Sequence, residues 1–405
     1  MNEWLEIKIG DLGRVVTGTT PPTSEEKYFN GNFKFVSPKD MDFDSRYISS
    51  TLTSLTSEAL SKFKNQVIPK NTVMFTALSY GFGKIGLSAE SCLTNQQINS
   101  IVVDESQYDF NFVYYLLRNA KNYLLSFDSG IVTPIINKST FEKIKVLVPK
   151  SIHTQKKIAK ILLNYDLLIE NNLAQISLLD ESIKLTYEEW FLRFRIDGEK
   201  LEIDSNTDLP FGWQDVQLTD YIDLLKGVEP GTEVYEDSQT DFNVPFIRVG
   251  DLSKRKSNLY VPIDSTQNKV TSKEDILISL DGSPGIVKFG FEGCYSAGVR
   301  KAVSKKDDIS CVFIFTLLNS QYIQGLINSH ATGTTILHAG SAVKKMKFAL
   351  PSDEVLYKYN ESESKKFELI LNLLDQNRLL KEARDILLPR LMTGMIDTNE
   401  LDIAV

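Results

Sequence analysis

The chain repeats itself once, at a displacement of about half its 405 residues. A duplication of that size restricts it to a pair of similar domains. Trp4 corresponds to Trp213 within Pro210-Phe211-Gly212-Trp213, and each is followed by Leu and a glycine-containing turn. Phe35-Val36-Ser37-Pro38-Lys39-Asp40-Met41 corresponds to Phe246-Ile247-Arg248-Val249-Gly250-Asp251-Leu252, and Val73-Met74-Phe75-Thr76 to Ile276-Leu277-Ile278-Ser279. Gly130-Ile131-Val132-Thr133, ending at Lys145-Val146-Leu147-Val148-Pro149, corresponds to Gly333-Thr334-Thr335-Ile336, ending at Lys347-Phe348-Ala349-Leu350-Pro351. Each match is short. Their shared order marks the duplication.

Within each half, short β-type runs (33–36, 73–77 and 98–103, then 245–249 and 275–280) are separated by Gly, Pro, Asn and Ser. One helix interrupts them, with Asp109 as its cap and Phe112, Val113, Leu116 and Leu117 on one face; its counterpart lies near 312–318. After Pro149 and Pro351 the composition turns to Leu, Ile, Lys, Glu and Asn, which predicts two long helices. In the first, Ile158, Ile161, Tyr165, Leu168, Asn172, Ile176, Leu179, Ile183, Tyr187, Trp190 and Phe194 follow one another in steps of three or four, the spacing of a coiled-coil seam with one or two phase shifts. The second offers Phe367, Ile370, Leu374, Asn377, Leu380 and Leu387. Asn172 and Asn377 are either register-fixing seam residues or the edge of a wider apolar stripe.

The fold class expected is therefore α+β. Two similar mixed α/β domains (1–149 and 201–351) are separated by two long helices (150–200 and 352–405) that form an antiparallel coiled coil, with a pseudo-twofold internal repeat. Such a pair of heads on one rod suits a long, nearly symmetric ligand such as duplex DNA.

Net charge is −8, which by itself argues against nucleic acid, but the basic residues are clustered. Lys138, Lys143, Lys145, Lys150, Lys156, Lys157 and Lys160 face one acid, Glu142, in that stretch, and further clusters lie at 254–256, 300–301, 305–306 and 344–347. Clusters of this kind are either solvated faces or phosphate contacts. The three cysteines, Cys92, Cys294 and Cys311, are too scattered for a disulfide framework or a zinc site. Met1-Asn2-Glu3-Trp4 lacks the layout of a secretory signal, and no apolar run is long enough to cross a bilayer, so a cytoplasmic protein without membrane contact is expected.

The run from Pro149 to Gln155 (P-K-S-I-H-T-Q) leads into Ile158 and Leu162, and Leu387-Leu388-Pro389-Arg390-Leu391-Met392-Thr393-Gly394 closes the second helix. These segments resemble the specificity subunit of Type I restriction–modification systems. The segment from Gly31 to Met41, and Gly83-Lys84-Ile85-Gly86 followed by Asn95-Gln96, add to the likeness, which spans essentially the whole chain. The Gln expected near the start of the second helix is absent after Pro351, which leaves that helix start open.

The resemblance implies a non-catalytic subunit that reads an asymmetric two-part site in double-stranded DNA, one half per domain. It implies as partners two methyltransferase subunits and, in a larger complex, restriction subunits that translocate DNA. No cofactor is expected in this chain; S-adenosylmethionine, ATP and Mg would belong to the partner subunits. A methylation-only system, or a coiled-coil scaffold without DNA readout, are the other readings.

Rival chemistry finds little support. Gly81-Phe82-Gly83-Lys84-Ile85-Gly86 matches G-x-G-x-x-G, but no βαβ unit surrounds it, so a β-turn or hairpin is expected there. No Walker motif occurs, and His153, His330 and His338 have no second metal ligand at useful spacing. For DNA contact the candidates in the first domain are Lys39, Tyr80, Lys84, Asn95, Gln96, Gln97, Thr133, Asn137 and Lys138. In the second they are Arg248, Arg300, Lys301, His338, Lys344 and Lys345. Asn and Gln match the edge of adenine and Arg that of guanine, with Lys84 expected on phosphates and Arg248 on a base. Each could equally be a solvated loop residue. Trp190, Phe191, Phe194, Leu387, Leu391 and Met392 are candidates for subunit docking, or else close the helix pair.

Overall fold

A computed structural model describes residues 3–43, 45–77, 82–127, 136–255, 257–333 and 337–398. The chain divides into two units, Met1–Glu170 with Arg378–Val405, and Asn171–Asn377. The four-segment division expected from sequence is not what these units follow, because each long helix is shared between them.

In the first unit, strand Trp4–Lys8 pairs antiparallel with Lys145–Pro149, Trp4 opposite Pro149 and Lys8 opposite Lys145. A mixed sheet runs in the order Gly13–Thr17, Ile98–Val103, Val73–Thr76, Ile85–Ser88, Tyr47–Ile48. Val73–Thr76 is buried along its whole length, which is why it reads as an unbroken apolar run rather than an alternating one. A second sheet places Phe29–Val36 between Thr53–Leu55 and Leu93–Thr94, the last of these parallel to it. Helix Phe110–Asn119 begins where the Phe112 N–H donates to the Asp109 carboxylate at 2.8 Å. Its Phe112, Val113, Leu116 and Leu117 share a core with Val73, Phe75 and Ile85, each large side chain contributing about 1.5–3 kcal/mol by leaving water.

The second unit has the same plan. Gln214–Gln217 pairs with Lys347–Leu350, Gln217 opposite Lys347, and this register places Trp213 where the first unit has Trp4. One sheet runs Ile222–Lys226, Val299–Ser304, Ile276–Ser279, Val287–Lys288; the other runs Tyr260–Pro262, Asn243–Ile247, Gly293–Tyr295, Val270–Thr271. Phe246 lies parallel to Cys294 as Phe35 does to Leu93. Gly18 and Gly227 fill matching places, and a Cβ at either would come within 2.1–2.4 Å of the carbonyls of residues 94 and 95, or 295 and 296. Only glycine fits there. Helix Cys311–Asn319 is capped by Ser310, as Phe110–Asn119 is by Asp109.

The long helices are Ile152–Tyr187, continued by a wider π-type turn at Glu188–Leu192, and Asp353–Met392. They pair antiparallel within each unit. In the first, Ile158 and Leu162 share a core with Leu388, Leu391 and Met392, and Arg384 donates to Asp166 at 2.6 Å. In the second, Asn172 donates to Asn377 at 3.0 Å and Lys366 to Ser182 at 3.1 Å. Residue numbers rise along one helix as they fall along the other, so Asn172 and Asn377 are seam residues. The expected seam is out of phase in one place. Leu168 is 51% exposed, while Leu162, Asp166 and Ile169 are buried. The charged pair takes the place in the stripe where an apolar residue was sought.

Asp166 and Arg384 are 6% and 3% exposed, and Tyr115 also donates to Asp166 at 2.5 Å. Burial, together with the adjacent carboxylate, holds the Tyr115 phenol protonated far above its ordinary range. The missing Gln near the second helix start has a replacement. In the first unit Gln155 accepts from the Asp109 N–H at 3.0 Å and donates to the Gln107 carbonyl at 3.4 Å. In the second, Asn360 accepts from Ser310 at 2.6 Å and donates to the Asp308 carbonyl at 2.7 Å. A shorter amide further along the helix makes the equivalent tie.

Two outcomes are expected from unfolding measurements on the full chain in urea. Arg384→Met leaves the Asp166 carboxylate buried beside Tyr115 without its counter-charge, and should cost about 3–5 kcal/mol. Asn172→Leu leaves the Asn377 amide buried unpaired and should cost about 1–3 kcal/mol, whereas Asn172→Leu with Asn377→Leu should recover most of that loss. A double variant no better than the single one would show that the amides do not act as a pair.

Candidate nucleic-acid interface

The same set of loops comes together at one end of the sheets in each unit. In the second unit, strand Asn243–Ile247 runs into Arg248, the N-cap of helix Val249–Lys254, whose backbone N–H donates to Asp251 at 3.0 Å. In the first, Ser37 donates to Asp40 in the same way, at 2.8 Å. The strands Ile276–Ser279 and Val287–Lys288 form a hairpin whose loop is held by the Ser279 hydroxyl, which accepts from the Ile286 N–H at 2.9 Å. Thr76 does this for the Lys84 N–H at 2.8 Å. Gly83 and Gly285, with φ of 80° and 95°, turn the two loops back in the left-handed region that glycine favours. The G-x-G-x-x-G stretch is thus a hairpin, with Ile85–Ser88 paired to Val73–Thr76. Gly81 lies outside the described residues.

Next to each hairpin lies the turn that precedes the sheet's Ile98–Val103 or Val299–Ser304 strand. Ala77 donates to the Gln97 carbonyl at 2.8 Å, and Leu280 to the Gly298 carbonyl at 3.1 Å. A third segment closes the group, since Ile136 donates to the Ala77 carbonyl at 2.9 Å and Ala339 to that of Leu280 at 2.8 Å. Three loops remote in sequence therefore meet at one hairpin in each domain, and a hairpin with flanking loops has the dimensions to enter a DNA groove.

The family model described as "Type I restriction modification DNA specificity domain" matches residues 1–178 and 210–381. The chain belongs to this family. It is a specificity subunit, the DNA-recognition component of such a system and not its catalyst. The MjaIX specificity subunit of Methanocaldococcus jannaschii is 26% identical over 419 aligned residues, covering 98% of this chain and 95% of that protein. The MjaVIII specificity subunit of the same organism is 23% identical and covers 99% and 94%. The solved S subunit from M. genitalium shares the fold with a TM-score of 0.56 at 14% identity, over 96% of each chain.

In the specificity subunit most candidate contact residues fall on these loops. Lys39 is exposed on the turn after Phe29–Val36. Asn95, Gln96 and Gln97 form the turn before Ile98, where Asn95 accepts from the Gln97 N–H at 3.0 Å and Gln96 bonds to Thr20. Asn137 caps a short helix by accepting from the Thr140 N–H at 2.9 Å, and Lys138 lies 3.6 Å from Glu142. Tyr80 and Thr133 lie outside the described residues, as do 130–133 and 334–336 of the repeat. Lys84, expected on phosphates, is half-buried, and its ammonium donates to the Pro38 carbonyl at 2.7 Å. It braces the hairpin against the neighbouring loop. No membrane-crossing helix occurs among the described residues.

In the second domain Arg248 is exposed beside Asp251, and His338 is exposed beside Asp281. Arg300 is 13% exposed and reaches Asp281 at 3.2 Å and the Ala297 carbonyl, so it clamps the hairpin to the adjacent turn. Lys301, the next residue of the strand and so on its other face, donates to the Val270 carbonyl and Asp275 at 3.1 and 3.2 Å and staples strands together. Lys344 is exposed, and Lys345 lies 2.9 Å from His330.

The docking candidates divide. Phe191, Leu391 and Met392 are buried, and Trp190, Phe194 and Leu387 are half-buried against the cores. Phe191 sits among Tyr187, Trp213, Phe313 and Tyr359 at centroid distances of 4.9–5.7 Å, so these side chains close the packing of their own unit. Sequence reading missed Asp281, the residue on which Arg300 and His338 converge, and the exposed Phe43 with Lys121 over its ring at 4.1 Å. The Gly- and Pro-rich run 281–285 in the second hairpin was the available signal for the first.

Binding titrations with the assembled complex should separate two roles. Lys39 has no ion pair among the described residues, and Lys39→Ala should weaken binding to all sequences and lower the salt slope by about one. Arg248→Ala should relax one base position at a cost of about 1–3 kcal/mol. Equal effects on specific and random DNA from both would contradict the assignment.

Proposed function

We propose that this chain reads an asymmetric two-part target in double-stranded DNA, with the domain at 1–149 on one half-site and the domain at 201–351 on the other. Segments 150–200 and 352–405 serve as spacers, so the unread gap in the DNA follows from helix length. The observation that carries this reading is the repetition of one loop constellation, hairpin, turn and capped segment, in both domains. The contact residues proposed are Lys39, Asn95, Gln96, Gln97, Asn137 and Lys138, and in the second domain Arg248, His338, Lys344 and Lys345; Tyr80 and Thr133 remain candidates on sequence grounds, and Lys84, Arg300 and Lys301 act by positioning.

The chain assembles with two adenine methyltransferase subunits and, in the larger complex, with restriction subunits that move DNA. It holds no cofactor itself; S-adenosylmethionine, ATP and Mg belong to those partners, in the cytoplasm. Two heads on one duplex should place their half-sites about one helical turn apart, near 10 bp.

Co-expression with the methyltransferase encoded beside it, followed by mapping of methylated adenines across a genome, tests this. A two-part motif with a fixed gap is expected. An uninterrupted palindrome, or no methylation, would count against the reading.

A further inference from the structure

His338 is an exposed candidate in the second domain whose backbone is held in a ladder and whose ring is held by a fixed carboxylate. Its backbone pairs with Thr332 in both directions, at 2.8 and 3.1 Å, and with the hairpin at Asp281. Its Nδ1 lies 2.7 Å from Asp281 Oδ1. Asp281 is itself fixed, because its other oxygen accepts from Arg300 at 3.2 Å, and Arg300 donates onward to the Ala297 and Val299 carbonyls. The carboxylate is 24% exposed and the imidazole 61%, so the anchoring partner is inside and the ring outside.

A carboxylate can only accept, so Nδ1 must carry the proton that makes this bond. In the neutral ring that leaves Nε2 as a lone-pair acceptor, and Nε2 has no hydrogen-bond partner among the described residues. We infer that His338, with its tautomer set by Asp281, is a specificity-determining residue whose Nε2 accepts from the exocyclic amino group of adenine or cytosine at one position of the second half-site. In the major groove those amino groups are the donors, whereas guanine and thymine present no donor there and offer only acceptors. Arg300 is a positioning residue in this arrangement. The inference rests on the two-part reading proposed above.

Asp281→Asn provides the test, because an asparagine in the same place can still accept from Arg300 through Oδ1 while its Nδ2 donates to His338 Nδ1. The proton then moves to Nε2, and the reading atom changes from acceptor to donor. With the chain assembled with its methyltransferase, genome-wide mapping of methylated adenines should show one second-half-site position shifting about tenfold from adenine or cytosine toward guanine or thymine. The first half-site and the gap should be unchanged. His338→Ala should relax that same position without a new preference.

A wild-type motif in both variants would overturn the inference. So would loss of all methylation in both, because an exposed single contact governs one base pair and not the site. Failure of the two-part reading is separable: it would appear as the absence of a gapped motif with the unaltered chain, and the inference would fall with it.

Discussion

Buried polar pairing between the long helices is the constraint on which the rest of this structure depends. An apolar seam alone tolerates sliding by a heptad, because one leucine replaces another at little cost. Asp166 with Arg384, and Asn172 with Asn377, do not tolerate it. Sliding would leave a carboxylate, a guanidinium and amides without partners in a desolvated seam, at several kcal/mol for the charges. The Asn377 Nδ2 is already buried without a partner among the described residues, so this seam gives up some stability to hold its register. Tyr115 carries the same constraint into the first domain, because the phenol that donates to Asp166 belongs to the capped helix Phe110–Asn119.

The duplicated domains show which contacts their fold requires and which it merely permits. The Asx turn at Asp40 and Asp251, the hydroxyl of Thr76 and Ser279 inside the hairpin, and the glycines at 18 and 227 recur at equivalent places. Each satisfies backbone groups or clears a close approach that the shared topology creates. The tie from long helix to capping segment is made by Gln155 in one unit and Asn360 in the other, so here geometry is kept while the residue and its position change. Around the hairpins the two domains are braced differently. Lys84 braces one, and the group of Asp281, Arg300 and His338 the other. Such a division sets unlike loops on a constant frame.

Much of the frame was legible because it has a period. The β-type runs at 73–76 and 276–279 and the cap at Asp109 followed from spacing and residue type, whereas the choice between seam and stripe edge for Asn172 and Asn377 needed their contact. The seam slipped at Leu168 because Asp166 and Arg384 are charged, and a count of apolar residues passes over a charged pair that is buried only by being paired. The aromatic group around Phe191 left two readings open, subunit docking or closure of the helix pair, for a related reason. Its covering side chains, Trp213, Phe313 and Tyr359, are distant in sequence, and no local pattern announces them.

Sequence alone determined that there are two similar domains and that two long helices accompany them. Those properties are periodic or repeated, and period and repetition are written in one dimension. Tertiary structure alone decided which lysines and arginines are committed to bracing and which stand free, because commitment depends on a partner brought near by folding. Lys84 meets Pro38, Arg300 meets Asp281, and Lys301 meets Asp275 across 46, 19 and 26 residues of chain. A basic residue in a loop looks the same in sequence whether its charge is neutralised inside the protein or offered to a ligand.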